Sequence, residues 1–500
     1  MTVTTPATVE RDTRSGRVRG IERCGVETYW GLRYAQPVRR FEAPAPATPW
    51  DGVYDATAPK PMAPQMPSAN DVFPEAPGGY DEDCLYLNVH APAGAMGLPV
   101  FVWVHGGAMI GGAANQYDGT QLALGARAVV VCINYRLGIH GFLDMSEFGP
   151  EFAGSRERWL QDQIEALRWV RDNIEDFGGD PGCVTVAGES AGATSVLSLC
   201  GAPLARGLFH RAMANSGGPL ALEPAPDQIP MVMKHKKLPT RAAARDYLLS
   251  APAQELVALQ NKVRPLGPTH VAGSPLLPAM LPDTIRSFGA DAPALLCGFT
   301  SHEGDLLSWA ISSQMKLGWP FRPVVLHLIS RIVAQRTAGG KQHVAGYLRR
   351  LRRAHPTLIG NRLNDLVWTD TSRKAAVDHC LATTEAGSRG YVYELDLPTS
   401  IGGVEMRSTH GVDIALTFDF FSEPDIDGPV LTTDPGAPAL AKAWVAMLAQ
   451  FMRTGDPSGP LGEWPAYDAD RRAVLMVTPR GNRVLEDPDP EYRTKVWRRP

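Results

Sequence analysis

No stretch of the 500 residues reaches the roughly 18 uninterrupted apolar side chains that a membrane-spanning helix needs. A bias of charge is lacking too. The chain sets 49 Lys and Arg against 53 Asp and Glu, a net charge of -4, too near balance for the broad basic field that phosphate backbones or anionic lipid attract. Nucleic acid and membrane are therefore not expected partners, and a small molecule is. Cysteine is sparse: Cys24, Cys84, Cys132, Cys183, Cys200, Cys297 and Cys380 are scattered, with no C-x-x-C among them, which argues against a disulfide framework or a zinc ribbon. The opening text MTVTTPATVERDTRSG has no apolar run after a charged start, so no secretory signal is expected. The expectation is a soluble, reduced, cytoplasmic protein. H-E-x-x-H, EF-hand, P-loop and dinucleotide fingerprints are all missing, and His302-Glu303 is not followed by a second His at metal-binding spacing. No metal and no organic cofactor is implied.

What is present is a globular composition, 44% hydrophobic and 20% charged, with 49 Gly and 43 Pro. Short strand-like pieces open the chain. Nine prolines between Pro44 and Pro77 then block helix and central strand alike. The texture changes at LPVFVWVHGG from Leu98 and ARAVVVCINYR from Ala126, continuous runs rich in β-branched residues that suit strands buried on both faces. CVTVAGESAG from Cys183, APALLCGFT ending at Thr300 and GYVYELDL ending at Leu397 extend the series. Between them Leu160, Ile164, Leu167, Val170, Ile174 and Phe177 recur at helical spacing, with Gly178 as the stop. Strand then helix, repeated, predicts an α/β fold with a mostly parallel sheet. Residues 1–500 are expected to form a single unit, with 219–290 and 305–388 as helical excursions that cap its sheet, and LAKAWVAMLAQFMRTGD from Leu440 as a last amphipathic helix.

Gly188-Glu189-Ser190-Ala191-Gly192 is G-x-S-x-G, preceded by the strand-like CVTVA and followed by the small-residue helix AGATSVLSL. The motif demands that context, because its Ser sits on a strained turn where only small neighbours avoid clashes. A serine hydroxyl is a weak nucleophile at neutral pH and needs a histidine base oriented by an acid. In this fold class the order along the chain is Ser, acid, His, each just after a strand. Glu303 in GFTSHEGDL and His410 in RSTHGVDIALTF stand where that order requires, with His302 and Asp305 as nearby competitors that position alone does not exclude. The turn His105-Gly106-Gly107-Ala108 closes the strand LPVFVWV. It is of the kind whose backbone N–H groups face a developing oxyanion, so Gly107, Ala108 and Ala191 are expected to form a three-donor oxyanion hole.

These blocks, together with GLRYAQP at Gly31, EDCLYLNV at Glu82, NYRLGIHGF at Asn134, DQIEALRWVRDNIEDFGGDP at Asp162, NSGG at Asn215 and THGVDI at Thr409, resemble the type B carboxylesterases. This is the α/β-hydrolase family of para-nitrobenzyl esterases, liver carboxylesterases and cholinesterases, and the likeness runs through nearly the whole chain. The resemblance implies a serine hydrolase of carboxylic esters with Ser190 as nucleophile, Glu303 as acid and His410 as base. It also implies a supporting role for Glu189, near Ser216. An acyltransferase or cyclase would use the same acyl-enzyme, and a non-catalytic binding protein is a third reading, against which an intact Ser190, Glu303 and His410 argue. Whether the protein is a monomer or a homodimer is left open.

Departures from the family pattern are specific. Cys84 matches a family cysteine, but PMAPQ at Pro61 offers it no partner, so the disulfide of secreted relatives is expected to be absent. Ala108 stands at the third glycine of the oxyanion loop and Met109 replaces the usual aromatic after it, a variant that in relatives goes with bulky or tertiary alcohol esters. Between Met66 and Asp83 no Trp occurs, and Phe73 and Tyr80 are the aromatics there, so a quaternary ammonium would lack its strongest partner and a choline ester preference is not expected. The clusters Lys234, Lys236, Lys237 and Arg349, Arg350, Arg352, Arg353 are expected to be solvated faces. Cys132, Cys183 and Cys297 are expected to be packing residues.

Overall fold

β-Branched and aromatic runs form the centre of each sheet, and the chain divides into two compact units: residues 1–195, 203–210 and 225–269 in the first, and 196–202, 211–224 and 270–500 in the second. The computed structural model describes all residues except 1–6, 37–38, 68–75, 219–226, 264–272, 307, 310–321, 339–340, 358–360, 402–403, 423–431, 433, 489, 491 and 498–500. Phe73 falls outside the described residues.

The first unit holds β1 (Ala7–Thr13), β2 (Gly16–Arg23), β3 (Val26–Arg33), β4 (Val53–Asp55), β5 (Tyr86–Pro92), β6 (Leu98–Val104), β7 (Val129–Ile133) and β8 (Gly179–Glu189). Its sheet runs β1-β2-β3-β5-β7-β6-β8, with β4 alongside β2. The pairs of β6 with β7 and with β8 are parallel. From β7 outward through β5, β3 and β2 to β1 the pairing is antiparallel. The expected parallel sheet therefore describes the centre, while the strands up to Pro92 add an antiparallel edge. Every residue of β7 is buried, and so is all of β6 beyond Leu98, as strands covered on both faces require. Helix Arg158–Asn173 covers the sheet with Trp159, Leu160, Ile164, Leu167 and Val170 buried, and Asp162 on it accepts from the Arg136 Nη2 at 2.6 Å. Gly178, at φ +82°, ends the following turn in the left-handed conformation that glycine adopts without a Cβ penalty. Helices Ile229–Lys236, Arg241–Ser250 and Ala253–Val263 pack Ile229, Val232, Leu248, Leu256 and Leu259 against Phe41, Ile139, Leu143 and Phe152.

The second unit holds β9 (Arg211–Asn215), β10 (Ala294–Thr300), β11 (Gly390–Leu395), β12 (Thr399–Ile401), β13 (Val404–Met406), β14 (Ala473–Val477) and β15 (Arg483–Glu486). β9, β10, β11 and β14 are parallel in that order, β15 is antiparallel to β14, and β12 with β13 forms a separate hairpin. Gly298 is required in β10, since a Cβ there would lie 1.9 Å from the Tyr393 ring of β11. Helix Ala437–Thr454 buries Trp444 edge-on against Tyr393, ring centroids 5.0 Å apart. The intervals expected as helical excursions contain helices Leu281–Ser287, Arg322–Ala338, Val344–Ala354 and Asn361–Glu385 among the described residues. Each unit thus brings the C-terminal ends of parallel strands to one edge, where ligands of α/β sheets bind.

Candidate active site

In the first unit the register pairs Val104 with Gly188, so the turn after β6 and the turn after β8 leave the sheet side by side. Ser190 occupies the second turn at φ +57°, half-buried, between β8 and the helix Ala191–Cys200. The glycines of its motif are dictated by contact. A Cβ on Gly188 would stand 2.7 Å from the Val104 carbonyl oxygen, and one on Gly192 would stand 2.0 Å from the same atom. A Cβ on Gly106 would come within 2.9 Å of Glu189 Oε2 and 3.2 Å of Ser190 Cβ. The nucleophile turn and the H-G-G-A turn are in contact because these positions carry no side chain.

The H-G-G-A turn is shaped by consecutive left-handed residues, Gly107 at φ +103°, Ala108 at +55° and Met109 at +62°. The Gly107 carbonyl accepts from the N–H of Ile110 and of Gly111, both at 3.0 Å, and the Met109 carbonyl accepts from Gly138 N–H at 2.7 Å. Carbonyls are thereby turned inward. The N–H groups of Gly107 and Ala108 donate no hydrogen bond among the described residues, and both residues are exposed. Ala191 opens its helix, so its N–H has no intrahelical acceptor. Beneath the turn, burial pushes the His105 imidazole down to about 4, so it is neutral at pH 7 and its Nδ1 donates to the Gly106 carbonyl at 2.8 Å. The Tyr135 ring stacks on His105 at 4.5 Å and its hydroxyl donates to the His105 carbonyl at 2.9 Å. Glu189 is buried beside Ser190.

In the second unit, Ser216 follows β9, Glu303 follows β10, and His410 follows β11 and the β12–β13 hairpin. Glu303 is buried, and both of its oxygens are engaged: Oε1 accepts from Ser216 Oγ at 2.6 Å and from Thr300 N–H at 2.9 Å, and Oε2 accepts from His410 Nδ1 at 2.5 Å. With its Nδ1 hydrogen committed to the carboxylate, neutral His410 has Nε2 as a proton acceptor. The sequence competitors are held elsewhere. His302 Nδ1 bonds Asp365 Oδ2 at 3.0 Å, and Asp305 takes two hydrogen bonds from Arg407 at 2.6 and 2.8 Å. Ser216 is tied to the Glu303 carboxylate through its Oγ.

Sequence reasoning passed over Asp413, three residues after His410. It is fully buried, accepts from Tyr393 Oη at 2.9 Å, and is raised to about 6 by burial and then by the neighbouring Glu303 charge. The spacing His410-Gly411-Val412-Asp413 places it one turn along from the histidine, but its tie to Tyr393 on β11 is not visible in the sequence.

A serine on a strained turn in one unit and a histidine tied to a buried carboxylate in the other are the components that acyl transfer through a serine requires, and comparisons with known proteins agree. The carboxylesterase family model matches residues 7–494. The chain is 30% identical to the para-nitrobenzyl esterase of Bacillus subtilis (strain 168), over 97% of this chain and 98% of that one. It is 32% identical to the liver carboxylesterase of Sus scrofa, over 92% of this chain and 88% of the other. A carboxylesterase structure from Geobacillus stearothermophilus at pH 6.2 superposes with a TM-score of 0.82 at 31% identity, covering 98% of this chain and 100% of that chain. A thermophilic para-nitrobenzyl esterase structure gives a TM-score of 0.83 at 27% identity, over 97% and 99%. The fold is the α/β-hydrolase fold, and the family favours water as the acyl acceptor over the acyltransferase and cyclase readings. The chain belongs to the carboxylesterase family and is a serine hydrolase of carboxylic esters.

Proposed function

We propose that Ser190 is the nucleophile of this hydrolase, His410 its base, Glu303 the acid that orients the base, and Gly107, Ala108 and Ala191 the oxyanion donors, with the two units acting as one catalytic unit. Ser190 Oγ attacks the ester carbonyl carbon while His410 Nε2 takes its proton. The oxyanion that develops is met by the three backbone N–H groups, already oriented and therefore without reorganisation cost during the step. The tetrahedral species then collapses: the bond to the alkoxy group breaks, His410 returns the proton to that oxygen, and the alcohol leaves. Water repeats the sequence on the acyl-enzyme. Its proton goes to Nε2, its oxygen bonds the acyl carbon, and the proton passes to Ser190 Oγ as the carboxylic acid departs. Glu303 holds the tautomer and stabilises the imidazolium that forms twice per cycle. Glu189 is read as supporting the turn rather than carrying a proton, and Ser216 as fixing the Glu303 carboxylate.

The observation that supports the reading most is the left-handed Ser190 turn held against Gly106, beside the undonated N–H groups of Gly107 and Ala108. A stopped-flow burst with para-nitrophenyl butyrate tests it. The wild type is expected to release one equivalent of nitrophenol rapidly per enzyme and then turn over, and Ser190→Ala to lose the burst and at least about 10⁴-fold of kcat. A Ser190→Ala variant that keeps the burst would overturn the assignment. Small to medium aryl and alkyl esters are the proposed substrates. Ala108 and Met109 support acceptance of tertiary alcohol esters, a reading that fails if tert-butyl acetate is untouched where ethyl acetate is cleaved. Seven free thiols support a reducing, cytoplasmic location, tested by fractionation of the source cells.

A further inference from the structure

From Leu306 to Asn364 the sequence carries ten Lys and Arg and not one Asp or Glu, inside a chain whose net charge is -4. The overall balance therefore conceals a local segregation. Two helices of this stretch show where the charge goes. Val344–Ala354 buries Val344, Tyr347, Leu348 and Leu351 and turns Arg349, Arg352 and Arg353 outward. Arg322–Ala338 leaves Leu328 and Ile332, one turn apart, 55% and 44% exposed, with exposed Arg331 between them. The two helices pack together, Val333, Ala334 and Ala338 of one sharing a buried cluster with Val344, Tyr347, Leu348 and Leu351 of the other, and His327 is held below its ordinary value by burial and then by the charges of both Arg352 and Arg331. Among the described residues none of Arg331, Arg349, Arg352 and Arg353 forms an ion pair. Arg350 differs, since its Nε donates to the Val496 carbonyl at 2.9 Å and serves the fold.

An ordinary solvated face mixes both signs of charge and keeps large aliphatic side chains apart. Here cations of one sign, without an ion pair among the described residues, stand on two packed helices that also carry two exposed aliphatic residues. A nucleic acid would satisfy the cations but offer nothing to Leu328 and Ile332, whereas an anionic bilayer offers phosphate charge at its surface and an apolar phase just below. We propose that this face is a peripheral docking surface for anionic phospholipid membrane, binding reversibly and without spanning it. The expectation of no membrane contact rested on whole-chain charge and on the lack of a spanning helix, neither of which bears on a local surface.

The test is co-sedimentation of the full-length enzyme with phosphatidylcholine vesicles with or without about 30 mol% phosphatidylglycerol, at low salt and at about 0.5 M salt. Binding is expected with phosphatidylglycerol alone, and to weaken with salt. Each cation near such a surface contributes about fivefold, so the triple variant Arg349→Gln, Arg352→Gln, Arg353→Gln is expected to bind on the order of a hundredfold more weakly. Leu328→Asn with Ile332→Asn is expected to weaken binding while leaving its salt dependence unchanged. All variants should keep wild-type turnover of para-nitrophenyl acetate, which controls for folding. Equal sedimentation with and without phosphatidylglycerol overturns the proposal. So does binding to polyuridylic acid as tight as to the vesicles and insensitive to the Leu328 and Ile332 changes, which would make the face a polyanion site.

Discussion

Gly106 illustrates how a single missing side chain positions chemistry. Its Cα lies so close to the nucleophile turn that a methyl group would press on Glu189 Oε2 at 2.9 Å and on Ser190 Cβ at 3.2 Å. Gly106→Ala must therefore separate the two turns that the proposed mechanism needs together, and kcat for para-nitrophenyl butyrate is expected to fall about 10² to 10³-fold, the scale of a lost oxyanion donor. Unchanged kcat in a folded variant would mean that the turns can give by several tenths of an ångström without consequence. His140 is the opposite case, a polar residue with nothing to bond. It is buried and stacked 6.4 Å from Phe41, neither ring nitrogen has a hydrogen-bond partner among the described residues, and burial pushes it down to about 4 despite Glu82 Oε2 at 3.9 Å. The unfolded chain binds a proton there near pH 6.5 and the folded chain does not until about 4. Folding stability from this group is therefore complete above pH 6.5 and lost on acidification towards pH 4. His140→Phe removes the linkage and the unpaired nitrogens together. Urea unfolding should show the wild type losing about 2 kcal/mol more than the variant between pH 7 and pH 5. Parallel losses in the two proteins would sink the argument.

At the scale of elements, helix ends give the cleanest separable energies. Thr240 caps helix Arg241–Ser250, its Oγ1 accepting from Ala243 N–H at 3.1 Å at an exposed site. Thr240→Ala should cost about 1 kcal/mol and Thr240→Asp close to nothing, measured by denaturant midpoint, with turnover unchanged in both. A loss shared by Thr240→Asp would point to the methyl group of Thr240 rather than its oxygen. Which elements were legible in the sequence follows from the same local physics. β6 and β7 are apolar at nearly every position because both faces are covered, and such runs are recognisable without knowing the partner strand. β9, RAMAN, contains no β-branched residue and pairs in parallel with β10, so its propensity carried no signal. The antiparallel edge was hidden in another way: β1 has no buried position and is mostly polar, a pattern that turns and loops share. At the site, glycines were readable because close approach forbids any other residue. The choice among Glu303, His302 and Asp305 was not, because Asp365 and Arg407, which occupy the latter two, lie 63 and 102 residues away in sequence. Ser216 and Asp413 belong to that second class, their partners being set by strand order.

For the molecule as a whole, the state of the cysteines is the property most open to a direct count. All seven are free: Cys24 is exposed, Cys183 half-buried, and Cys84, Cys132, Cys200, Cys297 and Cys380 buried. Reaction with a disulfide reagent needs both access and a thiolate. Burial denies access to five of them and also pushes the Cys84, Cys132, Cys200 and Cys297 thiols far above their ordinary value, so these four lack the reactive ion as long as they stay buried. The folded enzyme is therefore expected to titrate one thiol rapidly with Ellman's reagent, a second slowly, and the remaining five only as fast as the chain unfolds. In guanidinium the total should reach seven without added reductant, and the thermal midpoint should be the same with and without dithiothreitol, since no crosslink restricts the unfolded chain. Fewer than seven thiols in guanidinium, restored by reductant, would reveal a disulfide and with it an oxidising compartment. Modification of Cys24→Ser protein would then show whether the rapid thiol was the exposed one: losing the fast phase while keeping full esterase turnover assigns it to Cys24, and keeping the fast phase would assign it to the half-buried Cys183 or to a buried cysteine that opens readily.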